Sequence, residues 1–239
     1  MALRNHIPNA VTSMNLVCGL VGIVFALRSR LDLAFYCMIA AAVFDFLDGF
    51  VARAFKACSP MGKELDSLCD LVSFGVLPGL MLSVLMQTLR FEQGWICWFP
   101  MLLALPSALR LAKFNIDPRQ AEGFLGLATP ASALLCAALC CYCCNTPVGF
   151  LSTWAAGPVM VPALVVCLGV LMVCEVPMFS LKLGGQQSRA LKVKRLTLVF
   201  FALASVAFCL IAGHHWSLAV VLTLFFYIVN NLVYACFKL

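Results

Sequence analysis

The chain has 239 residues, of which 64% are hydrophobic and 11% charged, with a net charge of +6; its mean hydropathy is +1.03. Soluble domains carry charge on about a quarter of their residues, so an ordinary water-soluble domain is excluded, and no nucleic-acid partner is expected. Apolar runs of about 20 residues, each long enough to cross a bilayer core, recur along the sequence, which reads as an all-α, polytopic helical membrane bundle.

Eight spans are predicted, at roughly 10–27, 33–54, 62–87, 95–113, 129–145, 157–178, 195–212 and 216–236. Arg4 followed by an apolar run resembles a signal peptide. The run is long and no convincing small-residue cleavage site follows, so it reads as the first span. The 14 cysteines are scattered through apolar stretches. The Cys140–Cys144 run contains a C-x-x-C spacing, but it lies inside a span with no histidine nearby and reads as packing. His214 and His215 read as interfacial residues on the face opposite the charged loops.

Eight spans place both termini on one side. Of the 16 Lys and Arg residues, Arg28, Arg30 and Arg90 fall on one face. The other thirteen, Arg53, Lys63, Arg110, Lys113 and Lys182 among them, fall at the ends or loops of the opposite face. Positive residues mark the cytoplasmic side, so both termini are expected there. The segment Ser180–Arg195 carries much of this charge and reads as a topogenic loop in contact with anionic lipid.

Half of the ten acidic residues lie between Asp45 and Asp70. If Asp45 begins a helical stripe, Asp48, Gly49, Ala52 and Arg53 follow at +3, +4, +7 and +8, all on one face. On the next helix Gly62, Asp66 and Asp70 are four apart and share a second stripe. Ser59-Pro60 is a suitable helix start. Two antiparallel helices can turn these stripes together and gather four carboxylates. Like charges at close range oppose each other's ionisation, so either some aspartates are protonated or a cation lies among them. Mg²⁺-type ions take oxygen ligands and substrate phosphates, and paired ions about 4 Å apart serve displacement at phosphorus. Glycines on the stripe let a phosphate approach the backbone, and Arg53 offers a fixed fork for phosphate oxygens. Together they point to phosphoryl chemistry at the membrane surface. A cation-transport reading would require polar residues continuing to the far face, and the later spans offer almost none.

The spacing D-x2-D-G-x2-A-R-x8-G-x3-D-x3-D resembles the signature of the CDP-alcohol phosphatidyltransferases. That resemblance implies a multi-helix transmembrane domain that displaces CMP from a CDP-linked lipid or alcohol with divalent metal, Mg²⁺ or Mn²⁺, as two ions. By motif position Asp45, Asp48 and Asp66 are implied metal ligands. Asp70 is the implied general base and is also counted among the implied metal residues, and Gly49, Arg53 and Gly62 are implied contacts to the CDP moiety.

Further stretches, Ile7–Gly19, Leu109–Asn115, Gly123–Pro130 and Met172–Lys182, are similar to the integral-membrane phosphatidylserine synthase branch of the family. Lys113 stands where that branch usually has arginine, and "GLATP" replaces a "GLPIP" type. The likeness covers a core of about 7–182 within a single domain spanning 1–239, with extra C-terminal helices at about 195–236. It implies CDP-diacylglycerol and L-serine as substrates and a homodimer in the cytoplasmic membrane, with the site at the cytoplasmic face. Sister enzymes use glycerol 3-phosphate, inositol or inositol phosphate, and the basic loop could serve such an acceptor. Arg110, Lys113, Asn115 and Lys182 are candidates for binding serine, or anchors of the positive face. Asn9, Thr12 and Asn15 share a face of the first span and are candidates for nucleotide contact or for capping. The role of Glu175 is left open.

Overall fold

The computed structural model describes residues 6–55, 59–90, 94–117, 124–178 and 189–237. The chain starts with a helical hairpin, α1 (His6–Leu27) and α2 (Leu31–Ala54). Next comes α3 (Pro60–Asp70), which runs through a π-helical turn (Leu71–Val76) into α4 (Leu77–Arg90). A 3₁₀ segment (Trp95–Leu103) leads directly into α5 (Ala104–Ile116). The remainder comprises β1 (Phe124–Leu125), α6 (Thr129–Asn145), α7 (Phe150–Ala155), α8 (Met160–Val173), β2 (Pro177–Met178), α9 (Arg189–Ala212) and α10 (Ser217–Phe237). Among the described residues, six helical stretches are long and apolar enough to cross a membrane, and α6 and α8 are shorter apolar helices. The protein is thus a multi-pass helical membrane protein.

Three local features depart from the expected spans. The third is one continuous rod, but its middle is a π-turn. Such turns are rare and cluster at functional sites. The fourth begins as a 3₁₀ helix that contains Pro100, a residue that cannot donate to the helical ladder. The sixth is shorter than 157–178. Its helix stops at Val173, and Pro177–Met178 pairs antiparallel with Phe124–Leu125.

That small strand pair joins two stretches about 50 residues apart in sequence, Gly123–Pro130 and Met172–Lys182. It is reinforced by backbone bonds from Gly126 N to the Val176 carbonyl (2.9 Å) and from Leu127 N to the Leu171 carbonyl (2.8 Å). Gly126 has φ +76°, and a Cβ there would lie 2.6 Å from the Met172 carbonyl oxygen. Only glycine fits both constraints.

The core is built on α4 and α6. Leu77, Met81, Leu82, Leu85 and Met86 are fully buried, as are Cys136, Cys140, Cys141 and Cys143. The cysteines are free thiols that act as small apolar packing residues. Large apolar side chains remain exposed along α9, Leu196, Phe200, Leu203, Leu210 and Ile211 among them, as suits a surface solvated by lipid.

The arrangement of α1 sets the geometry of the site. It packs along both α2 and the α3–α4 rod, whereas α2 and α3 make little backbone contact with each other. A Cβ on Gly62 would stand 3.2 Å from Asn9 Oδ1, one on Gly19 would stand 2.3 Å from Ser73 Oγ, and one on Gly22 would stand 2.7 Å from a methyl of Leu77. The matched positions advance together, so α1 and the rod run parallel. At Gly19 the contact reaches the neighbouring backbone, with Ser73 Cα at 3.0 Å. The two aspartate stripes therefore face each other across a gap held open by α1, not through direct packing of α2 on α3.

Candidate active site

At the end of the bundle where α1 and α3 begin and α2 finishes, a cavity of about 560 Å³ opens. Its walls carry Asn9 and Thr12 from α1, Asp48, Gly49 and Arg53 from α2, and Gly62, Lys63 and Asp66 from α3. The start of α3 is fixed by Ser59, whose hydroxyl accepts the Gly62 N–H at 3.0 Å, with Pro60 in the first helical position. Such a cap contributes about 1 kcal/mol. It also turns Gly62 toward the cavity, where Ser59 Oγ and Asn9 Oδ1 already crowd the space a side chain would need.

Asp45, Asp48 and Asp66 each offer a carboxylate oxygen within 4.8 Å of the others. Asp48 is buried, and Asp48 Oδ2 and Asp66 Oδ1 have no hydrogen-bond partner among the described residues. Asp48 also lies within hydrogen-bonding reach of the Thr12 hydroxyl. Buried carboxylate oxygens without donors are costly, and these two, with Asp45 converging on them, form the donor set of a hard divalent cation. The residues present fit such an ion.

Asp70 lies one turn deeper and is 7% exposed. Asn15 Nδ2 donates to its Oδ1 at 2.9 Å, and its carboxyl is within hydrogen-bonding reach of Asp45. All four aspartates of the two stripes are thereby brought into one connected group. Gly49 faces open space: apart from the Arg53 guanidinium, whose nitrogens would stand 3.7 and 3.9 Å from an added Cβ, no side chain or neighbouring helix among the described residues lies within 4 Å. Packing does not require a glycine there, so the missing side chain leaves room for a ligand.

The remaining candidates separate. Arg110 is 8% exposed and has Asp70 and Tyr227 among its electrostatic neighbours. It donates to Thr129 Oγ1 at 2.8 Å, and its Nε has no partner among the described residues. Lys113 is not gathered with Arg110 but forms an ion pair with Glu175 at 2.9 Å. Asn115 joins α5 to α3, donating to Ser67 Oγ at 2.9 Å and accepting from Lys63 Nζ at 2.7 Å through its carbonyl. Lys182 lies outside the described residues, with most of the basic segment around it.

Sequence reasoning did not single out Ser73, Thr129 or Tyr227. Thr129 sits in a stretch already set apart by its similarity to relatives. Ser73 donates to the Asn15 carbonyl at 3.1 Å from within an unremarkable apolar run. Tyr227 comes from α10 and carries no local signal.

Comparison with known proteins agrees with this geometry. The chain is 38% identical over 164 residues to the CDP-diacylglycerol–serine O-phosphatidyltransferase of Mycobacterium bovis, covering 63% of this chain and 56% of that protein. It is 37% identical over 131 residues to the enzyme of the same name from Bacillus subtilis, covering 54% and 72%. Against the Helicobacter pylori protein of that name the identity is 30% over 201 residues, covering 83% and 81%. The chain thus spans little more than half the length of its mycobacterial relative. The family model for CDP-alcohol phosphatidyltransferase matches residues 5–173, a stretch that holds both aspartate stripes and the whole cavity wall, and the chain belongs to that family.

Proposed function

We propose that the protein transfers a phosphatidyl group from CDP-diacylglycerol to the hydroxyl of L-serine, releasing CMP and forming phosphatidylserine. The observation that carries this reading is the convergence of Asp45, Asp48, Asp66 and Asp70 beside a cavity bounded by Gly49, Arg53 and Gly62. The serine acceptor is supported by relatives whose names state that activity.

Asp45, Asp48 and Asp66, with Asp70 at the edge, would hold one or two divalent ions, Mg²⁺ or Mn²⁺. When bound, such ions supply positive charge that neutralises pyrophosphate oxygens and a departing CMP. Arg53 binds phosphate oxygens through its planar fork. Gly49 and Gly62 admit the CDP moiety close to the helix backbones, and Asn9 and Thr12 border the same space. Asp70 takes the proton of the serine hydroxyl as that oxygen attacks the phosphorus on the lipid side. Arg110, buried beside Asp70, is the cation placed to meet the serine carboxylate. The chain needs no separate nucleophile for this direct displacement.

The reaction joins a lipid to a soluble amino acid, so the site belongs at an interface. The sequence bias of positive charge supports the reading that this interface, and both termini, lie at the cytoplasmic face of the cell membrane. The family resemblance favours a homodimer. Incubating the purified protein with CDP-diacylglycerol, Mn²⁺ and isotopically labelled serine tests the proposal. The label is expected in phosphatidylserine, and its absence from lipid alongside CMP release to another alcohol would overturn the serine assignment.

A further inference from the structure

Asn9, Thr12 and Asn15 lie on one face of α1, and all three were candidates for contact with the nucleotide. The structure separates them. Asn9 and Thr12 line the cavity. Asn15 stands about 9 Å further along the helix than Asn9, at about 1.5 Å per residue, and is fully buried. Its side-chain amide donates to Asp70 Oδ1 at 2.9 Å, and its backbone carbonyl accepts the Ser73 hydroxyl at 3.1 Å. Gly19, one turn on, permits this approach because any side chain would collide with Ser73. The π-turn (Leu71–Val76) begins between the two partners of Asn15, and Ser73 lies within its first residues. One residue of α1 thus grips the rod on both sides of the point where its helical register changes.

We infer that Asn15 is a positioning residue: it fixes the rotamer of Asp70 and does not touch the CDP moiety. An aspartate has two side-chain torsions, and a hydrogen bond on one oxygen removes the freedom of both. The amide donates to Oδ1 and Asp45 lies within hydrogen-bonding reach of the same carboxyl, so the acceptor hydroxyl would meet a carboxylate of fixed orientation. A carboxylate at position 15 could not donate when ionised, and an apolar residue could not donate at all, so an amide is the side chain of this size that suits the task. This inference rests on the proposed role of Asp70 as the base.

The test uses full-length protein in detergent or nanodiscs and three variants, Asn15→Leu, Asn15→Asp and Asn15→Ser. Leucine and aspartate keep the branched shape and lack the donor, and serine is too short to reach Asp70. Each is assayed for CMP release with CDP-diacylglycerol, Mn²⁺ and serine, and separately for CDP-diacylglycerol binding by calorimetry. Misplacing a catalytic group by about 1 Å lowers rate by about a hundredfold. The expected result is a kcat lowered about tenfold to a hundredfold in all three, with unchanged KM and affinity for CDP-diacylglycerol. Weaker binding of CDP-diacylglycerol at undiminished kcat would overturn the inference and make Asn15 a nucleotide contact. Wild-type kcat in the serine variant would overturn it as well, since that variant keeps a small polar side chain and is the least disruptive to folding. Failure of the wild-type protein to release CMP with any alcohol would instead remove the proposed function itself.

Discussion

Arg110 on α5 donates a 2.8 Å hydrogen bond to the hydroxyl of Thr129 at the start of α6, and both side chains are buried. The pair links the Leu109–Asn115 stretch to the loop clasped by β1 and β2, and it holds a guanidinium that has Asp70 among its electrostatic neighbours. A hydrogen bond to a buried charge contributes about 1.5–3 kcal/mol. Thr129→Val should therefore lower stability by about that amount and raise the KM for serine more than that for CDP-diacylglycerol. Thr129→Ser should retain both. Thermal unfolding with steady-state kinetics on each substrate checks this, and an unaltered serine KM in Thr129→Val would detach Arg110 from the acceptor.

Two glycines should behave in opposite ways. Gly19 abuts Ser73 and Gly49 faces open space. Gly19→Ala should destabilise the fold by about 1–3 kcal/mol, the usual cost of overpacking, because α1 must move off the rod. Gly49→Ala should fold normally and raise the KM for CDP-diacylglycerol. Melting temperatures and lipid-substrate titrations of the two variants, run side by side, separate packing from ligand space.

Asp66 contributes a buried oxygen with no donor among the described residues, within reach of Asp45 and Asp48. In Asp66→Ala the divalent-ion concentration for half-maximal activity should rise by at least about tenfold, since even outer-sphere changes at metal sites cost that much. An unchanged metal titration, measured by activity and by Mn²⁺ calorimetry, would remove Asp66 from the ligand set.

Asp70→Asn retains the shape of the carboxylate and loses its capacity to accept a proton. Turnover should fall to background, while binding of CDP-diacylglycerol and Mn²⁺ largely survives. A variant with near-normal turnover would show that the serine hydroxyl loses its proton elsewhere.

The aspartate stripes were legible in the sequence because helical periodicity is local: residues three and four apart share a face whatever the rest of the chain does. The spans were legible for the same reason, as runs of apolar residues. Non-local features were not. Nothing in Leu71–Val76 distinguishes a π-turn from ordinary helix. The pairing of Phe124–Leu125 with Pro177–Met178 joins segments whose own composition suggests a loop and the end of a span. The packing of α1 along both α2 and the rod gave Asn15 a partner 55 residues away, which periodicity alone cannot reveal. Tyr227 reaches Arg110 only because α10 packs on α6 and β2.

The central claim is that this cluster of aspartates serves phosphatidyl transfer to serine. The most direct test is CMP release from CDP-diacylglycerol by the purified protein, with Mg²⁺ or Mn²⁺ and each of serine, glycerol 3-phosphate, inositol and inositol phosphate. The account predicts CMP release with serine alone, abolished by chelation of the divalent ion and by Asp70→Asn. Release with glycerol 3-phosphate or an inositol compound but not with serine would contradict it.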